Sequence, residues 1–228
     1  MFYKKALLTL TAILLLGVSN LPARDTATFV DLGFSADGRT FMFAQYGVQA
    51  GTLRPWADLF IVDVSQNNFV SGGRISYTHD RPVVFGQTGS GAFHSALVRN
   101  ASLVTRHGIN HSLQGRPLFI ALDNTDSNEI EFRDFVTGDF YRATLNQTIE
   151  GSGVSLRSSF YINLVRESRD GTRRNYTVGT PQFRRPLIAS YRIRRAMIHG
   201  DSMIFVIEMR RQEDTGFAIR YMVEALRL

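Results

Sequence analysis

The strongest constraint on this chain is a repeated rhythm of short apolar runs broken by Asp/Gly turns. Phe34-Ser35-Ala36-Asp37-Gly38-Arg39 leads into Thr40-Phe41-Met42-Phe43, and a second apolar run, 59–64, follows after a polar loop. Asp-Gly between apolar runs marks a chain reversal, because glycine accepts a positive φ without steric cost. Further runs rich in β-branched and aromatic residues lie at 69–70, 118–122, 130–135, 140–145, 160–165, 174–178, 188–196, 203–209 and 219–226. Val136-Thr137-Gly138-Asp139 and Arg169-Asp170-Gly171-Thr172 read as hairpin turns within this series. A further short strand is expected at 81–85, and the stretch from 71 onward is otherwise irregular.

One segment breaks the rhythm. Phe93, Leu97, Ala101 and Val104 recur at helical spacing, Ser90 is placed to cap, and Gly108 stops the run after Arg106 and His107. The pattern therefore predicts a mainly β fold of roughly ten to twelve strands. The architecture is β-propeller-like or stacked antiparallel sheets, with one inserted α-helix at about residues 91–107.

The first residues read as a targeting segment. Lys4 and Lys5 precede an apolar run, 6–18, and small residues then offer cleavage after Ser19 or Ala23. That run is too short for an ordinary membrane span, and no later stretch is long and apolar enough, so no stable transmembrane segment is expected after cleavage. Residues 1–23 are thus expected to be a signal peptide and 24–228 a single β-rich domain, with the protein periplasmic or secreted.

Charge sharpens this. The formal net charge is +6, yet all but two of the 26 basic residues are Arg, and the two Lys lie in the leader. Export leaves about +4, too little and too scattered for a nucleic-acid partner. The absence of cysteine rules out disulfides, thiolate chemistry and a lipoprotein anchor.

Two regions echo each other, 34–64 and 197–226. Each runs strand end, Asp/Gly turn, apolar strand, polar loop, apolar strand. The first resembles the blade motif of TolB-like and WD40-like β-propellers, with Ala36 where those blades carry proline. About 200 residues allow at most about five blades of 40, and the helix departs from a propeller. Over a longer span the chain resembles a bacterial family of predicted secreted proteins. The similarity lies in Phe34-Ser35-Ala36-Asp37-Gly38-Arg39, Gln45-Tyr46-Gly47-Val48-Gln49, Thr105-Arg106-His107-Gly108-Ile109 and Ile219-Arg220-Tyr221-Met222-Val223-Glu224. That resemblance implies export from a bacterial cytoplasm and one intact domain; it assigns no catalytic residue.

Several constellations invite chemistry, each with a plainer alternative. Gly86-Gln87-Thr88-Gly89-Ser90-Gly91 before a helix suits an anion, but it lacks a Walker lysine and the dinucleotide spacing, so a linker plus cap explains it. Ser90 is a weak hydrolase nucleophile, one residue short of the usual elbow. His107 and His111 with Asp123 form a weak metal set, because Gly108 breaks their helix. Asp123, Asp126, Glu129 and Glu131 offer paired carboxylates or a solvated loop. Arg173, Arg174, Arg184, Arg185, Arg192, Arg194 and Arg195 either face an anionic polymer or pair internally.

No residue is assigned as catalytic, cofactor-binding or metal-ligating, and no cofactor is expected. The reading is a non-enzymatic envelope binding module whose partner is a cell-envelope protein or an anionic polymer. Its candidate surfaces are the Arg-rich strands and the loop 47–55 around Trp56. The alternative is an extracytoplasmic hydrolase or small-ligand enzyme.

Overall fold

Strand β13 (Ser202–Glu213) sets the architecture. Met203, Phe205 and Ile207 pack into one core while Ile204 and Val206 pack into another, and all five are buried. Successive strand residues point to opposite faces, so a strand apolar on both must lie in the middle of a stack. The computed structural model describes residues 25–84, 86–122, 127–214 and 216–228. The expected leader, 1–23, lies outside the described residues, as do Phe85, Asp123 and Asp126.

Three antiparallel sheets form the stack. The first has the order β4-β3-β2-β1-β5, built from β1 (Thr28–Ser35), β2 (Thr40–Val48), β3 (Pro55–Asp63), β4 (Asn68–Thr78) and β5 (Ile109–Asn110). The second runs β10-β9-β8-β7, from β7 (Glu129–Arg133), β8 (Phe140–Glu150), β9 (Arg157–Glu167) and β10 (Arg173–Val178), with β11 (Arg185–Pro186) also on β9. The third, central sheet runs β14-β13-β12-β6, from β6 (Arg116–Ile120), β12 (Ile188–His199), β13 and β14 (Gly216–Arg227). One face of the central sheet meets Tyr141, Ala143, Leu145, Phe160 and Ile162 of the second. The other meets Phe34, Phe41, Phe43 and Val62 of the first. Helices α1 (Ser90–Arg99) and α2 (Ala101–Arg106) cover the outer side of the first sheet, where Ala92, Phe93 and Ala96 pack on Met42, Ala44, Leu59 and Ile61.

Of the two β architectures open to the sequence, stacked sheets form, and no sheet closes into a barrel among the described residues. The echoing regions are the β1–β3 and β12–β14 meanders, and they pack face to face. Their turns interlock. Ser202 Oγ donates to Gly38 O at 2.8 Å, and the Phe34 and His199 rings stack with centroids 5.1 Å apart.

The single helix expected at 91–107 is two helices. Asn100 sits between them at φ −116°, ψ 19°, and its Nδ2 donates to Ala96 O at 2.8 Å, turning the chain at the end of α1. The residue preceding α1 is Gly89, not Ser90, for a steric reason. A Cβ at Gly89 would lie 2.2 Å from Gly47 O, so only glycine lets the helix seat on β2. The strand expected at 81–85 does not form over 81–84; Val84 N instead bonds the Gln87 side chain at 3.1 Å. Conversely, β4 extends to Thr78 through an irregular stretch at Gly72 and Gly73, where the register against β3 shifts. A Cβ on Gly73 would fall 2.7 Å from Ile61 O.

One buried acid spans the layers. Glu224 of β14 is 4% exposed. It accepts from Asn67 Nδ2 at 2.5 Å, lies 3.6 Å from Arg185 Nη2, and sits against Gly179. Asn67, held at φ 48°, also accepts from Ala225 N at 2.7 Å. Burial pushes the Glu224 carboxyl above its usual range, and the Asn67 donor and Arg185 oppose that only in part.

Two predictions follow from these contacts. Gly89→Ala should destabilise the protein by about 1–3 kcal/mol. Gly91→Ala, with nothing within 4 Å of its added Cβ, should leave stability unchanged or raise it. Chemical denaturation of both variants checks this. For Glu224, a folded-state pKa above the unfolded 4.5 means that stability falls as pH rises through that window. Thermal melts from pH 4.5 to 7.5 should show Glu224→Gln gaining on the wild type as pH increases; a constant gap contradicts the assignment.

Candidate functional site

Most residues flagged by the sequence are occupied structurally. Ser90 Oγ pairs with Thr88 Oγ1 at 2.8 Å, and the nearby His94 Nδ1 meets the Ser90 carbonyl oxygen rather than its hydroxyl. His111 Nδ1 bonds Leu32 O at 2.7 Å. His107 lies beside Asp37, Asp63 and Arg39, but each of those carboxylates is held in its own turn. Asp37 accepts from Ser35 Oγ at 2.6 Å and Asp63 from Ser65 Oγ at 2.6 Å, which lowers both carboxyl pKa values. No group of three His, Asp or Glu able to hold a metal occurs among the described residues. Glu129 and Glu131 both face Arg142, with Glu131 2.6 Å from its Nη2.

The arginines are largely paired. Arg173 meets Glu167 at 2.6 Å, Arg184 meets Glu150 at 2.7 Å, and Arg194 meets Glu208 at 3.5 Å. Arg185 stacks on Phe160 and Phe183, and Arg195 lies over Phe29.

The loop around Trp56 is different. β2 and β3 extend further than expected, so the loop shrinks to 49–54, closed by Gln49 N donating to Arg54 O at 3.0 Å. Along the inner faces of β2 and β3, paired residues change from core to polar. Phe41 faces Val62, Phe43 faces Phe60, Gln45 faces Asp58 and Gly47 faces Trp56. Gln45 Nε2 donates to Asp58 at 3.2 Å, while Gln45 Oε1 accepts from Tyr221 N at 2.7 Å. The indole lies over Gly47, with no room for a side chain there: a Cβ would meet the ring at 3.1 Å.

Here a polar cavity of about 390 Å³ opens, lined by Asp25, Gln49, Ala50, Gly51, Trp56, Asp58, Thr78, Glu213 and Arg220. Arg220 organises it. Its guanidinium stacks 4.4 Å from the Trp56 ring, lies 2.6 Å from Asp25 Oδ2 and 3.6 Å from Glu213 Oε1, and donates to Asp25 O at 3.0 Å. Arg220 and Asp25 are only 15% and 6% exposed in their side chains. Three carboxylates against one guanidinium make the cavity a locally acidic place in a basic chain. Two buried polar atoms of its lining residues, Asp25 Oδ1 and Trp56 Nε1, have no hydrogen-bond partner.

The sequence pointed to Trp56 and its loop but missed Asp25, Asp58, Glu213 and Arg220. The stretches 45–49 and 219–224 were each visible as motifs, yet they lie about 175 residues apart, and only folding joins them. No helix among the described residues is long and apolar enough to cross a membrane. No curated protein and no solved structure matches the chain. A family match spans residues 42–227, through the strands that frame this cavity, and places the chain in the predicted secreted protein family DUF2259.

Proposed function

We propose that the protein works outside the cytoplasm of a bacterial cell as a non-enzymatic binding module of the envelope. Its ligand is a hydroxyl-rich, saccharide-type molecule held in the Trp56 cavity. The observation that carries this reading is that two residues lining the cavity each hold a buried polar atom without a partner, one acceptor and one donor. Asp25 Oδ1 needs a hydrogen to accept, and the Trp56 indole N–H needs an acceptor. A hydroxyl group supplies both. An ammonium cannot accept from the indole, and a phosphate or carboxylate would meet three acids against one arginine. The cavity size lies in the range of small-ligand sites.

A non-catalytic role fits the side chains. Ser90 is engaged by Thr88, and of the three acids that line the cavity Asp25 and Glu213 are held by Arg220 and Asp58 by Gln45. Among the partners suggested by composition, an envelope glycan suits this cavity better than an anionic polymer, because most of the clustered arginines already have internal partners.

Trp56 is the sole tryptophan, so its fluorescence reports on the cavity without labelling. Titration with neutral mono- and oligosaccharides should give a saturable emission change at about millimolar concentration or below, little altered by salt. Arg220→Ala should weaken that response about tenfold or more, since a charged hydrogen-bonding clamp is worth at least about 1.5 kcal/mol. It should also shift the emission to the red as the indole is uncovered. A flat response to saccharides, or a response only to amines that salt abolishes, overturns the assignment.

A further inference from the structure

We propose that the tip of the β7–β8 hairpin docks the protein on an anionic phospholipid surface. At this tip Phe135 and Val136 stand 88% and 75% exposed, side by side. Four other short hairpin turns among the described residues carry polar tips: Asp37-Gly38, Ser65-Gln66-Asn67, Asp170-Gly171 and Gly200-Asp201. Two adjacent apolar residues thrust into water are costly unless something covers them.

The turn is also rigid. Asp134, directly before Phe135, is fully buried, and Arg116 of β6 grips its carboxylate through both Nη atoms at 2.8 Å each. The same carboxylate accepts from Val136 N at 2.8 Å and Thr137 N at 3.4 Å. Backbone bonds from Gly138 N to Asp134 O and from Asp134 N to Asp139 O close the loop at 2.7 and 2.9 Å. At its far side Asp139 pairs with Arg166 at 2.8 Å. The apolar pair is therefore presented on a backbone already held in place, which favours insertion.

The surroundings are cationic. Arg133 and Arg169 are exposed and make no ion pair among the described residues, and the Arg169 side chain lies beside Gly138 at the turn. The acids at this end are engaged: Asp134 by Arg116, Asp139 by Arg166, Glu167 by Arg173, and Asp170 by Thr172 N. Phe140, 37% exposed, sits opposite both Arg133 and Glu167 in the outer row of the sheet. An apolar point rimmed by free guanidinium groups matches the acyl boundary and the phosphates of an anionic leaflet. A protein partner fits less well, because two protruding side chains fall far short of the roughly 800 Å² per partner that a stable protein interface buries.

The full chain tests this with a reporter confined to the tip. In a Phe135→Trp variant that also carries Trp56→Phe, the indole at position 135 should shift to the blue with phosphatidylglycerol vesicles. Brominated lipid should quench it. Both effects should fall at least fivefold in 0.5 M salt or on adding Arg133→Gln and Arg169→Gln, and should be weak with phosphatidylcholine. Emission that no vesicle moves overturns the proposal. So does equal insertion into both lipids, or burial of position 135 that rises with protein concentration in the absence of lipid, which would mean a second copy covers the tip. Saccharide binding is read at Trp56, so either result stands without the other.

Discussion

Burial of the central sheet on both faces is the constraint on which the other layers depend. β13 contributes side chains to two cores, as β12 does through Ala196 and Met197, and those cores are what attach the first and second sheets to the third. The first sheet then needs cover on its remaining face, and the helix pair supplies it through Ala92, Phe93 and Ala96. The small residues matter there as much as the apolar ones. Gly89 approaches Gly47 so closely that the helix start and β2 share one contact surface, while the other side of Gly47 carries the Trp56 ring. The cavity at Trp56 is thus tied to the helix layer as well as to the two sheets that wall it.

Arginine binds the layers together where apolar side chains run out. Arg116 joins the central sheet to the β7–β8 turn, Arg185 touches both Glu224 and the Phe160 ring, and Arg220 joins Trp56 to Asp25 and Glu213. Each of these contacts uses the planar face or the fork of the guanidinium, which a lysine ammonium lacks. This gives the lysine-free body of the chain a structural meaning. Several of its cations thus serve as internal connectors.

Much of the strand pattern was legible because its signals are local. Turns at Asp37-Gly38 and Asp170-Gly171 and alternation such as Tyr141, Ala143 and Leu145 need only neighbouring residues. The helix was read as continuous because Asn100 interrupts it without a glycine or proline to announce the break. Gly89 replaced Ser90 at the helix start because the deciding contact comes from Gly47, far back in the chain. The candidate site was half visible for the same reason. A lone tryptophan in a Gly-rich loop attracts notice, but Arg220 and Glu213 belong to a hairpin more than 150 residues away and look like ordinary surface charges.

The cavity and the hairpin tip also show two different uses of a buried carboxylate. Asp134 is saturated: its oxygens meet a guanidinium fork and backbone donors, the Arg116 pairing holds its pKa below the usual carboxylate range, and what it stabilises is the shape of a turn. Asp25, 6% exposed, is also bound to an arginine, yet one of its oxygens is left without a partner. A saturated acid fixes geometry and asks nothing of a partner. An unsaturated one keeps a strong hydrogen-bonding need that only a further donor can meet. That contrast separates a carboxylate that fixes a turn from one that leaves a hydrogen-bonding capacity unused in the wall of a cavity.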